Sequence, residues 1–135
     1  MTLCDTGPLI ALIDKAEASH ERCKAALSSL TPPLITTWAC LTEAMYMLGR
    51  FHGFKGQAAL WELIENEVLI IHEHQGMESK RMCQLMEKYS DLPMDFADAS
   101  LVTVAEVLNL VRIFTLDSDF KIYRVNQTIP FEVVP

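Results

Sequence analysis

Six carboxylates stand where the pattern of the chain calls for apolar side chains or plain turn residues: Asp5, Glu43, Asp95, Asp98, Asp117 and Asp119. On a helix, the neighbours of Glu43 three and four positions away are Ala39, Cys40, Tyr46 and Met47. A helix that is apolar on nearly every face is expected to be buried, and Glu43 with it. Asp98 repeats the anomaly among Met94, Leu101 and Val102, and Asp95 lies one turn earlier on the same side. Asp5 ends a short apolar strand and Asp117 follows another, the positions at which open α/β sheets hold ligands. Burial without a partner shifts a carboxyl by about 3–5 pKa units, roughly 4–7 kcal/mol, so such acids need a counter-charge. Nothing basic accompanies them in the sequence. A hard divalent cation, Mg²⁺ or Mn²⁺, takes oxygen ligands and answers that need. Two such ions about 3.5–4 Å apart would activate a water and stabilise the leaving oxygen of a phosphodiester.

Each acid also has a plainer reading. Asp5 and Asp95 fit helix caps, and Asp98 fits a first-turn residue facing the helix dipole. Asp117 and Asp119 fit turn residues, and Glu43 fits a buried partner of an arginine. These readings weaken together, because two strand ends and two helices each contribute an acid with no matching cation.

The elements that position the acids alternate in type. Thr2 to Asp5 reads as a strand, and Pro8 in Gly7-Pro8-Leu9-Ile10-Ala11-Leu12-Ile13 fits the first turn of a helix. A helix follows from about Glu17 to Leu30, closed by Thr31-Pro32-Pro33, and a short strand from Leu34 to Thr36. Thr37 to Arg50 and Gln57 to Asn66 read as helices around a glycine-containing loop from Gly49 to Gly56. Val68 to Ile71 is a continuous apolar run, the pattern of a buried strand. Met77 to Tyr89 reads as an exposed, charged helix and Asp95 to Asn109 as a buried one. Val111 to Phe114 and Phe131 to Val134 complete the strand candidates. Strands separated by helices imply an α/β sandwich around a mostly parallel sheet, in one domain spanning residues 1–135.

Composition narrows the classes. At 135 residues, half of them apolar, the chain is long enough for a hydrophobic core. Eleven Lys and Arg against eighteen Asp and Glu give a net charge of −7, which excludes a large basic face for nucleic acid but not a local basic groove. Two bound divalent ions would ease the approach of a polyanion. Cys4, Cys23, Cys40 and Cys83 have neither zinc-ligand nor C-x-x-C spacing and are expected as reduced, buried small hydrophobes. With no membrane-length apolar run and no basic leader, the expected location is the cytoplasm. Asp5-Thr6-Gly7 spells an aspartic-protease signature, but it opens a helix and no second copy occurs. His72-Glu73-His74 has transition-metal ligands, yet it follows a strand and is expected as a solvated strand end.

Asp5-Thr6-Gly7-Pro8-Leu9-Ile10-Ala11-Leu12, Thr42-Glu43, Asp95-Phe96-Ala97-Asp98-Ala99-Ser100-Leu101 and Thr115-Leu116-Asp117-Ser118-Asp119-Phe120, in that order, resemble the PIN-domain family over essentially the whole chain. Each motif alone is weakly specific; four in order are more so. The resemblance implies a three-layer α/β/α sandwich and a Mg²⁺- or Mn²⁺-dependent ribonuclease, with one or two ions bound. It assigns metal binding and catalysis to Asp5, Glu43, Asp98 and Asp117. Asp95, Asp119, Thr6 and Thr115 match supporting positions. A free-standing domain of this length most resembles the VapC-type toxins, which implies an RNA substrate, a small antitoxin partner and a homodimer using the helices between residues 37 and 66. The alternative is a degenerate PIN scaffold that binds RNA or protein without cutting. Arg50 and Lys55, flanking the glycine-containing loop, are candidate RNA contacts, with plain solubility as the competing reading.

Overall fold

Leu3, Ile35 and Ile113 face one apolar core, while their strand neighbours Cys4, Leu34 and Phe114 face another. Side chains alternate across a pleated strand, so two cores on opposite faces mean a sheet between two helical layers. The computed structural model describes residues 1–135. In chain order the elements are β1 (Thr2–Cys4), α1 (Thr6–Ile13), α2 (His20–Ala26), β2 (Leu34–Thr37), α3 (Trp38–Glu65), β3 (Leu69–His72), α4 (Glu78–Lys88), α5 (Phe96–Leu108), β4 (Arg112–Phe114), β5 (Arg124–Val125), β6 (Ile129–Pro130) and β7 (Glu132–Val134). Short 3₁₀ turns cover Leu27–Ser29 and Ser118–Lys121.

The main sheet has the order β3-β2-β1-β4-β7, and every adjacent pair is parallel. Leu9 and Ala11 of α1, Cys23 of α2 and Leu41, Ala44, Leu48 and Leu60 of α3 fill one face. Met82 and Leu85 of α4 and the buried stretch Ala97–Ala105 of α5 fill the other. From β1 the chain moves outward through β2 to β3, then crosses back to place β4 on the opposite side of β1. The order therefore reverses between β1 and β4, and the crevice beyond their C-terminal ends is the natural ligand site of such a sheet.

Four details depart from the sequence expectation. The loop anticipated between Gly49 and Gly56 is compressed to one residue, Gly53, whose φ of 62° and ψ of −155° break α3 into two arms. The second arm returns against the first: the Gln57 side-chain amide donates to the Met45 carbonyl, and a Cβ on Gly49 would lie 2.4 Å from Gln57 Nε2. Second, the Val68–Ile71 run is an edge strand and not a buried one. It pairs only with β2; Leu69 and Ile71 on one face pack into the core, while Val68 and Ile70 on the other face are exposed. Third, a small antiparallel hairpin, β5 with β6, lies outside the main sheet. Asn126 and Gln127 between its strands both have positive φ, which suits the right-handed twist of a hairpin. The helix expected over Glu17–Leu30 is a two-turn helix followed by a 3₁₀ turn. No helix is long and apolar enough to cross a membrane.

Candidate active site

Asp5, Thr6, Thr115 and Asp117 meet at the crevice between the ends of β1 and β4. Asp5 leaves β1 directly and caps α1, its Oδ1 accepting the Thr6 N–H at 2.7 Å. Its Oδ2 accepts the Thr115 hydroxyl at 2.7 Å. Thr115 Oγ1 in turn accepts the Asp117 N–H at 3.0 Å, and Asp117 Oδ1 accepts the Asp119 N–H at 2.9 Å. A chain of hydrogen bonds thus fixes three acids from two strands relative to one another.

The third element is α5. Asp95 caps it, accepting the Asp98 N–H at 2.8 Å, which sets Asp98 one turn inside the helix and pointing at the crevice. Asp98 is 6% exposed, and its Oδ2 accepts the hydroxyl of the fully buried Tyr123 at 2.8 Å. One carboxylate oxygen each from Asp98, Asp117 and Asp119 lies within 4.8 Å of the other two.

Electrostatics follow from this packing. Burial raises the pKa of Asp5 to about 6, against the opposing bonds from Thr115 and Thr6, and the Asp117 and Glu43 charges push it up further. Burial also holds Asp98 well above the ordinary carboxylate range, with the Tyr123 bond opposing and the charges of Asp95, Asp5 and Asp117 adding to it. Burial raises the Tyr123 phenol, and the Asp98 carboxylate it faces raises it again, so it stays a donor. The ion pairs of the molecule join His20–Glu21, His52–Asp14, His72 and His74 to Glu78, Arg81–Glu106 and Arg112–Glu132. None involves any of the six acids. The arginine-partner reading of Glu43 therefore fails, and no Lys, Arg or His makes an ion pair with the cluster.

Glu43 departs from expectation. It is exposed, because α3 is not covered on all sides: Trp38 and Tyr46 on the same helix are 45% and 63% exposed. Glu43 reaches the site through Thr6, whose hydroxyl donates to Glu43 Oε1 at 2.9 Å. Asp119, expected either to support the site or to bind metal directly, lies in the tightest group, whereas Asp95 is exposed and spends one oxygen on capping. Arg50 is seven residues beyond Glu43 on α3, about 10 Å along the axis, and donates to Tyr46; Lys55 lies past the Gly53 break. Neither makes a hydrogen bond or ion pair with the acids.

Sequence reasoning did not place four neighbours at the site, although Arg22 and Lys121 were among the basic residues it considered for RNA. Tyr123 had no motif to mark it. Cys40 Sγ sits 3.9 Å from Asp5 Oδ1, in keeping with the expected buried thiol, as are Cys4 and Cys23; Cys83 is exposed. Arg22 and Lys121 line a pocket with Thr115, Asp117 and Ser118. They come from elements far apart in sequence, so only the fold joins them.

The donor set is all oxygen and all acidic, buried in part and without a counter-ion. A hard divalent cation fits such a set, and a soft one does not. Asp98, Asp117 and Asp119 are the residues that would hold it, with Asp5 adjoining.

No family model matches the chain. Ribonuclease VapC26 of Mycobacterium tuberculosis is 24% identical over 115 residues, 85% of either chain. Among solved structures, the M. tuberculosis toxin VapC20, which cleaves the sarcin-ricin loop, superposes with a TM-score of 0.81 at 18% identity, covering 88% of this chain and 92% of that one. A toxin–antitoxin complex from Klebsiella pneumoniae gives 0.69 at 20% identity, covering 100% and 97%. VapBC2 of Rickettsia felis, bound to a promoter DNA fragment, gives 0.70 at 14% identity, covering 99% and 98%. The chain has the PIN-like three-layer fold of these toxins, as its sequence motifs implied.

Proposed function

We propose that the chain is a metal-dependent endoribonuclease of the VapC type, the toxin of a toxin–antitoxin pair. One observation carries the reading: carboxylates from β1, α5 and the segment after β4 converge, uncompensated, at the switch point of a parallel sheet. The likeness to VapC26 and to the VapC20 fold supports RNA as the substrate. The antitoxin complexes among the similar folds support a small protein antitoxin as the partner.

In this reading Asp5, Asp98, Asp117 and Asp119 hold Mg²⁺ or Mn²⁺, one or two ions. When bound, the metal supplies Lewis-acid stabilisation of charge on the phosphate and lowers the pKa of water. The chain's own groups do the positioning. Thr115 orients Asp5 and the backbone of Asp117 together, and Tyr123 fixes the rotamer of Asp98. Glu43, exposed and steadied by Thr6, is placed to accept a proton from an attacking water at the mouth of the crevice. Arg22 and Lys121, beside Asp117, supply the positive charge that draws a phosphate in. Arg50 and Lys55 serve RNA further from the scissile bond.

The whole of residues 1–135 acts as one nuclease unit in the cytoplasm. It pairs as a homodimer through α3, where Tyr46, Phe51, Phe54 and Trp61 are exposed. The test is cleavage of a mixture of single-stranded RNAs by chelator-treated protein, with Mg²⁺, Mn²⁺ or Ca²⁺ added back. Mg²⁺ or Mn²⁺ should restore cutting; Ca²⁺, with its larger and looser shell, should support it poorly. Metal-dependent RNA binding without cutting would indicate the degenerate scaffold instead.

A further inference from the structure

We propose that His72, His74 and Glu78 form a second metal site, separate in place and in chemistry from the acid cluster, that takes Zn²⁺. The site is built by a strand end and a helix start. His72 ends β3, and His74 lies two residues on, where an extended backbone returns its side chain to the same face. Glu73 between them points away and accepts from the Trp38 indole N–H at 3.1 Å. Glu78 is the first residue of α4, brought back by the turn at Gln75-Gly76-Met77.

These are not solvated side chains, contrary to the sequence expectation. His72, His74 and Glu78 are 12%, 20% and 8% exposed. The turn folds α4 over the end of β3 and shuts them in. Both imidazoles converge on one oxygen: His72 Nε2 lies 2.7 Å and His74 Nδ1 3.1 Å from Glu78 Oε1. The three ligand atoms lie within 4.8 Å of one another. The Gln75 N–H donates to the other carboxylate oxygen and fixes the plane of the group.

Three ligand atoms converge here, His72 Nε2, His74 Nδ1 and Glu78 Oε1; His74 Nε2, on the far side of its ring, is buried with no partner. The donor set also selects the ion. Two imidazoles and a carboxylate suit zinc, whereas Mg²⁺ prefers the all-oxygen set of the acid cluster. With metal–ligand bonds of about 2.0–2.2 Å, tetrahedral ligand atoms sit about 3.3–3.6 Å apart, so the His72 contact would open by about 0.6–0.9 Å and the His74 contact by about 0.2–0.5 Å. Bound there, zinc would tie the free edge strand β3 to α4, whose N-terminus has no side-chain cap.

The experiment is zinc titration of the chelator-stripped full chain in excess Mg²⁺, by calorimetry, with Co²⁺ absorption as the reporter of ligand geometry. Four proteins are compared: wild type, His74→Gln, His72→Gln/His74→Gln, and Asp98→Asn/Asp117→Asn. Wild type should bind a single equivalent of Zn²⁺, gain a higher melting temperature, and give the intense visible bands of tetrahedral Co²⁺. Both histidine variants should lose all three effects, and the acid-cluster variant should keep them. His74→Gln is the decisive member if the double variant fails to fold, since its loss costs the fold a single hydrogen bond. Zinc binding that survives in His74→Gln, vanishes in the acid-cluster variant, or is absent from wild type overturns the site.

Discussion

At the residue scale, two carboxyls carry opposite lessons. Asp98 is buried among acids with a lone tyrosine donor, so its charge is a burden on the metal-free fold. Asp98→Asn keeps an oxygen for Tyr123 and removes that charge, so the metal-free variant should melt above wild type at neutral pH while losing all cleavage. Glu43 is exposed, so Glu43→Gln should abolish cleavage and leave the melting temperature unchanged. Destabilisation by either change would show that the carboxylate serves the fold through its hydrogen bond to Tyr123 or Thr6. Tyr123→Phe strands Asp98 without its donor and should cost about 1–2 kcal/mol in denaturant unfolding, with a partial loss of activity. Asp5 adds a pH dependence. Its folded pKa of about 6 lies above the ordinary 3.8, so the folded state binds this proton more tightly than the unfolded chain does. The stabilisation is complete below about pH 3.8 and declines as pH rises through 6. Metal-free protein followed by thermal melts should lose stability over that window, and Asp5→Asn should reduce the loss, the remainder following Asp98, which is raised in the same direction.

At the element scale, the molecule depends on where its chain turns. Gly53 occupies a region of backbone space that is essentially reserved for glycine, and a Cβ there would meet no atom within 4 Å. The cost of Gly53→Ala is thus one of backbone conformation alone, about 1–3 kcal/mol by denaturant unfolding. An unchanged midpoint would show that the two arms of α3 do not need the break. The turn explains what the sequence could and could not say here. Three glycines marked an interruption between Gly49 and Gly56, but spacing alone cannot separate an eight-residue loop from one sharp break between packed arms. Short apolar runs between breaking residues located the strands well, since β1, β2 and β4 each feed two cores. They misplaced β3, because an edge strand and a central one can carry the same apolar run. The acids at strand ends were legible because a charge after an apolar run is conspicuous. Glu43 was misjudged as buried because an apolar helix face reads alike whether it meets the core or stays bare. Tyr123 and the partnership of His72 and His74 with Glu78 depend on contacts that no local pattern encodes.

At the scale of the whole molecule, the bare face of α3 and the uncompensated acid cluster remain to be accounted for. Phe51 and Phe54 are 62% and 74% exposed, and a second copy of the chain would cover them. A stable pair buries more than about 1,000 Å² in total. Light scattering at tens of micromolar should therefore give a dimer, and Phe51→Glu/Phe54→Glu should give a monomer; a monomeric wild type would contradict the pairing. The acid cluster bears on the central claim, that these carboxylates exist to hold a divalent cation for cutting RNA. The most direct measurement is single-stranded RNA cleavage by chelator-stripped protein as Mg²⁺ or Mn²⁺ is restored, with Asp98→Asn run beside wild type. Cleavage should appear in wild type only with metal, and should be absent from a folded Asp98→Asn at every metal concentration. Undiminished cutting in excess chelator, or by Asp98→Asn, would contradict it.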